Sequence, residues 1–266
     1  ILFINPPSRA GVYQSLGDSL AAIEPPIWCR LLASYCEKKG IVTDILDLNA
    51  GDNFDYIESS RPGLIVIVAH GQQPSASTQT MPSVIETSWA IKQACPEIPV
   101  LIVGGHPAAL PEKTLAETMA DFVCTGEGPA TIFALWRHLK ASQTTRDSRR
   151  DHIPGLCYWG DRDIPRTSAA ENVWDLTEEI PGGMWDKLAM GEYRAHNWHA
   201  FSNDCKRQPY ASIYTTLGCP YACSFCNIQN PFREGDFLKY GGKANSYRMW
   251  SPAHVVDEIQ LLVEKY

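Results

Sequence analysis

Apolar residues arrive in short blocks separated by polar, glycine- and proline-containing stretches, and the blocks alternate between two patterns. The opening "ILFINPP" is apolar up to Asn5 and then broken by two prolines, as a buried strand running into a loop would be. "PPIWCRLLASYCEKKG" follows with Ile27, Leu31, Leu32 and Tyr35 at helical spacing. It stops at Gly40, behind Lys38 and Lys39, whose charges suit a helix C-terminus. "IVTDILDL" predicts a second strand. "GLIVIVAH", residues 63–70, stays apolar on both faces until its end and predicts a central strand. A helix over residues 81–95, a fourth strand in "VLIVGGH", a fifth in "DFVCTGEG" and a closing helix in "PATIFALWRHL", with Pro129 in its first turn, complete the first half.

Strands alternating with helices at this spacing predict an α/β domain, a Rossmann-like doubly wound parallel sheet. Ligands of such sheets bind at the carboxyl ends of the strands. Those ends fall at Asn5 to Ser8 (with Pro7), Ala69 to Gln72 (with His70 and Gly71), Gly104 to Pro107 (with Gly105 and His106), and Gly126, Glu127 and Gly128. Glycine in three of these four loops lets a large ligand approach the backbone; a tight turn is the alternative at any one position. The G-x-G-x-x-G of dinucleotide sites does not follow the first strand.

Residues 137–152 are polar without an apolar stripe and predict a helix end and linker. The domains expected are therefore 1–145, a connector over 146–208, and 209–266. Within the connector, "GLCYWGDRDIPRT" predicts a hairpin turning at Gly160 and Asp161, and "DLTEEIPGGMWDKL" one helical turn. His196 and His199 have metal-binding spacing, with surface or packing roles as the alternative. "YASIYTTLGC" predicts a strand leading into a cysteine-rich loop, and Ser251 and Pro252 predict the cap and first turn of a helix whose apolar face is Val255, Val256, Ile259, Leu262 and Val263. Strand, loop and helix in this order open a parallel (β/α) barrel.

At 266 residues, 44% hydrophobic and 20% charged, the composition is that of a soluble globular chain, and no apolar run is long enough to span a bilayer. The first residues lack the order of a secretory signal, so a cytoplasmic location is expected. A net charge of −7 argues against a general nucleic-acid surface. Nine cysteines at uneven spacing suggest free thiols or metal ligands rather than disulfides, with Cys29, Cys36, Cys95 and Cys124 expected in the core. Ile1 opening a strand and Tyr266 closing an uncapped helix read as a piece of a longer protein.

"LGCPYACSFCNI" concentrates Cys219, Cys223 and Cys226 in one loop. A closed zinc site takes four ligands, usually in two pairs, and the only nearby addition, Cys205, lies beyond a strand-like run. A four-iron cluster held by three thiolates keeps one iron open for chemistry. C-x-x-x-C-x-x-C after a strand, with Phe225 before the third cysteine, resembles the radical S-adenosylmethionine superfamily. That resemblance implies that Cys219, Cys223 and Cys226 ligate a 4Fe-4S cluster and that Phe225 flanks the adenine of S-adenosylmethionine, which is cleaved to a 5′-deoxyadenosyl radical.

"NPP", "GGHPAALPE" and "GEGPAT" after strands one, four and five resemble the cobalamin-binding domain that precedes the barrel in one large radical S-adenosylmethionine subfamily. The resemblance implies that Pro7, Ser8, His70, Gly71, Gly104, Gly105, His106, Gly126, Glu127 and Gly128 surround the corrinoid. No Asp-x-His-x-x-Gly supplies a lower axial histidine. The activity so implied is methyl transfer to an unactivated carbon, or a phosphinate phosphorus, of a small-molecule substrate, with flavodoxin or ferredoxin as electron donor. A radical cyclisation or rearrangement without methyl transfer, and a non-catalytic iron–sulfur or zinc protein binding a partner through residues 229–247, are the alternatives. Trp198, Trp250 and Tyr240 serve equally as packing or as substrate contacts.

Overall fold

Strand β1 (Leu2–Asn5) lies between β2 (Asp44–Asp47) and β3 (Ile65–Ala69), and β4 (Val100–Gly104) and β5 (Phe122–Cys124) follow outward, all parallel. The structure is a computed structural model and describes residues 1–13, 21–71, 76–141, 150–196, 207–221, 223, 225–232 and 246–266. The pleat sorts the apolar residues onto two faces. Phe3, Val66, Val68, Leu101 and Val103 pack under α2 (Ile27–Lys38) and α7 (Pro129–Ala141). Leu2, Ile4, Ile65, Ile67, Val100 and Ile102 pack under α3 (Asp55–Ser60) and α4 (Ser77–Ala94). Because β3 and β4 are buried throughout, truncating a residue such as Ile67 to Ala would cost about 2–5 kcal/mol. Short helices α1 (Arg9–Tyr13), α5 (Gly105–Ala109) and α6 (Pro111–Glu117) shape the loops after β1 and β4.

The predicted connector hairpin joins this sheet. Strands β6 (Leu156–Trp159) and β7 (Pro165–Thr167) continue it beyond β5 in antiparallel sense. The first unit therefore reaches beyond residue 145, because Leu156, Cys157 and Tyr158 bury their side chains along β5. One turn of helix, α8 (Leu176–Glu179), follows, capped by the Asp175 carboxylate on the Glu178 amide.

The second unit departs from the barrel pattern. Of the strand expected over "YASIYTTLGC", only β8 (Thr216–Leu217) is paired, with β9 (Arg248–Met249), and the pairing is antiparallel. Ala211 and Ile213 instead pack on the cluster of Trp185, Met190 and Tyr193, so their apolar side chains are used without a strand partner. Helix α9 (Pro252–Lys265) begins as expected, with Ser251 Oγ accepting from the His254 amide at 3.3 Å. Val256, Ile259 and Val263 on it are exposed. Among the described residues no helix is long and apolar enough to cross a membrane.

Candidate functional site

The strand order 2-1-3-4-5 reverses direction of winding between β1 and β3, and a crevice opens there at the carboxyl edge. Asn5, Ser8, Arg9, Glu24, Asn49 and Gly71 border a small cleft there. Pro7 is exposed, whereas Ser8 is buried. The loop carrying both is pinned by Asn49, whose amide donates to the Pro6 carbonyl at 2.8 Å and whose oxygen accepts from the Arg9 amide at 3.2 Å. Beneath it Asp47 accepts from Asn5 Nδ2 at 2.8 Å, from the Asn49 amide at 3.0 Å and from Tyr193 OH at 3.0 Å. Burial pushes the Asp47 carboxyl up to about 6 despite those donors. Asn5 stood among the strand ends named from sequence, but Asp47 and Asn49 were not singled out; the polar run closing "DILDLNAGDN" was the available signal.

Glu24 borders the same cleft, its carboxyl raised by burial, and His196 Nε2 lies 3.8 Å from it. His196 Nδ1 accepts the Ala22 amide at 3.1 Å, which places the ring proton on Nε2 toward Glu24. Of the spaced pair His196 and His199, the first makes these contacts, and the second lies outside the described residues, as do Gln72, Trp198, Cys205 and Tyr240.

His70 leaves the end of β3 and turns inward. Its ring stacks on Trp28 at 5.1 Å and its Nε2 meets Tyr214 OH at 3.2 Å. Burial lowers its pKa to about 4, so the ring is neutral at pH 7. Nδ1 is buried with no hydrogen-bond partner among the described residues. Gly71 follows with φ +73.

Gly104 has φ +154, and a Cβ there would lie 2.0 Å from the Ala69 carbonyl oxygen. The closeness of β3 to β4 thus requires glycine before any ligand is considered. Gly105 is buried at the start of α5, and the His106 amide donates to Ser77 Oγ at 2.9 Å while its ring meets Thr78 Oγ1 at 3.1 Å. Burial first, and Lys113 second, lower the His106 pKa. Gly126 and Gly128 face protein as well: a Cβ would come 2.9 Å from Ala170 and 2.9 Å from Leu32 respectively. Between them the Glu127 carboxylate is fully buried against Arg248.

Strand β8 delivers the cysteine loop through Gly218, where φ is +76 and a Cβ would meet the Ser246 carbonyl oxygen at 2.5 Å. Cys219 and Cys226 are half-buried and Cys223 is exposed, with the Cys226 amide donating to the Cys223 carbonyl at 3.1 Å. Phe225 is 91% exposed. Among the described residues no three metal-ligating side chains are drawn together. The remaining described cysteines, Cys29, Cys36, Cys95, Cys124 and Cys157, are buried. Burial pushes Cys36 up to about 12 and Cys124 to about 11, so these thiols stay protonated and inert. The loop itself brings three thiols, the number that an iron–sulfur cluster with one open iron takes.

The segments flanking the loop lie against the sheet edge. Phe232 packs edge-on to Trp28 at 5.8 Å, its carbonyl accepts from Asn172 Nδ2 at 2.6 Å, and Tyr214 reaches His70. On the α9 side, Arg30 Nη1 lies 2.5 Å from Glu258 Oε1, and its guanidinium 4.0 Å over the Trp185 ring. Trp250 is buried, donating to the Ile180 carbonyl at 2.7 Å, and so serves packing.

The chain thus combines a mostly parallel α/β sheet with a three-cysteine loop whose flanking residues touch the sheet's carboxyl edge. Residues 13–135 match the family described as "B12 binding domain". In sequence the chain is 25% identical over 268 residues to the anaerobic magnesium-protoporphyrin IX monomethyl ester cyclase of Rubrivivax gelatinosus, covering 100% of this chain and 43% of that protein. It is 25% identical over 245 residues to the hopanoid C-3 methylase of Methylococcus capsulatus, covering 90% of this chain and 40% of that one. The fold matches the radical S-adenosylmethionine methyltransferase TsrM of Kitasatospora setae, solved with cobalamin and a [4Fe-4S] cluster, at TM-score 0.61 and 17% identity, over 99% of this chain and 45% of that one. In fold the chain is similar over 97% or more of its length to solved cobalamin-bound radical S-adenosylmethionine enzymes, and it spans less than half the length of the relatives named above.

Proposed function

We propose that this chain carries the cobalamin-binding sheet and the cluster loop of a cobalamin-dependent radical S-adenosylmethionine methyltransferase. The observation that carries the reading is that the residues flanking the Cys219, Cys223 and Cys226 loop reach the sheet's carboxyl edge, Tyr214 meeting His70 and Phe232 packing on Trp28. Bound there, a 4Fe-4S cluster, S-adenosylmethionine and cobalamin supply the electron, the radical and the methyl group, which a protein scaffold cannot.

The chain's own residues bind and orient. Cys219, Cys223 and Cys226 hold the cluster, and Phe225 offers a solvent-facing ring for the adenine to stack on. Pro7, Ser8, Gly71, Gly104, Gly105 and His106 border the corrinoid; Gly126 and Gly128 support it from behind, packed as they are on protein. The Nδ1 of neutral His70, buried without a hydrogen-bond partner among the described residues, leaves one polar atom for a ligand at the same edge. The acceptor of methyl is a carbon or phosphinate phosphorus of a small molecule, the electron donor is a flavodoxin or ferredoxin, and the compartment is the cytoplasm. Similarity to a cyclase favours a second reading, radical ring formation without methyl transfer.

The test is the visible spectrum and metal content of protein reconstituted without oxygen, beside a variant with Cys219, Cys223 and Cys226 changed to Ala and a Cys205→Ser variant. About four irons per chain, lost in the triple variant and kept in Cys205→Ser, is expected, together with uptake of hydroxocobalamin. One zinc per chain and no corrinoid would overturn the reading.

A further inference from the structure

Glu127, placed by sequence among the corrinoid neighbours, has its carboxylate engaged elsewhere. Oε2 lies 2.6 Å from Arg248 Nη2, and Oε1 accepts from Arg248 Nη1 at 3.1 Å and from the Val173 amide at 2.6 Å. Arg248 Nε in turn donates to the Ser246 carbonyl at 2.9 Å. Ser246 Oγ donates to Gln229 Oε1 at 2.9 Å, and Gln229 Nε2 donates to the carbonyl of Cys219 and, at 3.2 Å, to that of Tyr221.

The exposures of Glu127, Arg248, Ser246 and Gln229 are 0%, 6%, 2% and 4%. Buried groups of this kind hold one geometry, because each lost partner leaves a desolvated polar atom. A bidentate carboxylate–guanidinium pair also fixes the plane of both groups. The series therefore transmits orientation from the loop after β5 to the backbone of the loop's first cysteine, through an ion pair whose partners are 121 residues apart. The absence of room for a side chain at Gly218, against Ser246, closes the same joint.

We propose that Glu127 is a positioning residue: through Arg248, Ser246 and Gln229 it sets the conformation of the loop bearing Cys219, and so holds the cluster loop in register with the sheet edge. The inference rests on reading Cys219 as a cluster ligand. Cys223 and Cys226 are joined by their own turn, whereas Cys219 is the cysteine whose carbonyl this relay grips.

The experiment uses the full-length protein, as wild type, Glu127→Gln and Gln229→Met. Hydrogen exchange of the segment 215–221 is read on metal-free protein; iron per chain, the low-temperature EPR spectrum of the reduced cluster and the Kd for hydroxocobalamin are read after anaerobic reconstitution. Both variants are expected to raise exchange at 215–221 by about tenfold, with the β1 and β3 peptides unchanged. They are expected also to shift the EPR g-values, with the hydroxocobalamin Kd within about twofold of wild type. Glu127→Asp, which keeps the charge, restores part of the protection.

Exchange at 215–221 equal to wild type in both variants overturns the proposal. A weakened hydroxocobalamin Kd in Glu127→Gln with an unaltered EPR spectrum overturns it too, and returns Glu127 to the corrinoid. Should Glu127→Gln fail to fold, Gln229→Met leaves the ion pair intact and decides alone. Wild type that takes up no iron sinks the cluster reading, while the metal-free exchange still decides the relay.

Discussion

Replacing Gly104 with Ala tests how closely β3 and β4 are closed at the cofactor edge. The added Cβ would lie 2.0 Å from the Ala69 carbonyl oxygen and 2.6 Å from its carbon. A carbon atom rests at about 3.3 Å or more from a carbonyl oxygen, so one strand end must retreat by roughly 1.3 Å. Ala69 and Gly104 are register partners, and the Ala69 carbonyl also accepts from Ser77 Oγ, which itself accepts from the His106 amide. Retreat weakens both bonds at about 1 kcal/mol each. Forcing an L side chain to φ +154 adds roughly 1–3 kcal/mol. The total, about 3–5 kcal/mol, corresponds to a Tm lowered by roughly 10 °C in a chain of this size. Thermal unfolding of cofactor-free protein followed by circular dichroism measures it. Hydroxocobalamin binding is expected to weaken as well, because α5 starts at the displaced residue. A Tm within about 2 °C of wild type would refute the reasoning, since that is below 1 kcal/mol.

Glu258→Ala removes the carboxylate facing the buried guanidinium of Arg30 and should cost about 3–5 kcal/mol by urea unfolding, whereas Arg30→Met with Glu258→Leu should return most of it. His70, whose pKa falls to about 4 on folding from a usual 6.5, contributes stability that is full above 6.5 and lost as pH drops toward 4. Wild-type stability relative to His70→Asn should therefore decrease between pH 7 and pH 5 with a slope approaching one proton. Asp47 has the opposite sign: its carboxyl is raised to about 6, so wild type should gain on Asp47→Asn over the same interval as the pH falls. Urea titrations at several pH values read both.

Local pattern made the first unit legible. The unbroken apolar runs at residues 63–70 and 100–104 predicted β3 and β4, and glycines do stand at the carboxyl ends of both. What escaped was set by partners distant in sequence. Residues 210–215 carry strand-forming side chains, yet only Thr216 and Leu217 find a partner, because Ala211 and Ile213 pack against Trp185 and Tyr193 instead. The hairpin at residues 156–167 was legible as a hairpin but not as part of the sheet, since nothing local says that β5 leaves an edge open to it. Glu127 read as a loop residue beside glycines, and only the fold brings Arg248 to it. Cys219, Cys223 and Cys226 stood out by their motif, while Gln229, whose side chain holds the carbonyls of Cys219 and Tyr221, carried no motif at all.

The β6–β7 hairpin has a consequence for how copies of this molecule meet. A parallel sheet ending at β5 would present a buried-type strand, Phe122–Cys124, with open amides to any passing chain. The hairpin covers that strand and moves the border outward to β7, three residues long, where Pro165 withholds a donor and exposed Arg166 brings a charge. At the opposite border β2 is only four residues and begins at Asp44. Both borders are thus short and charged, which disfavours edge-to-edge aggregation while the nascent chain is still concentrated and incompletely packed.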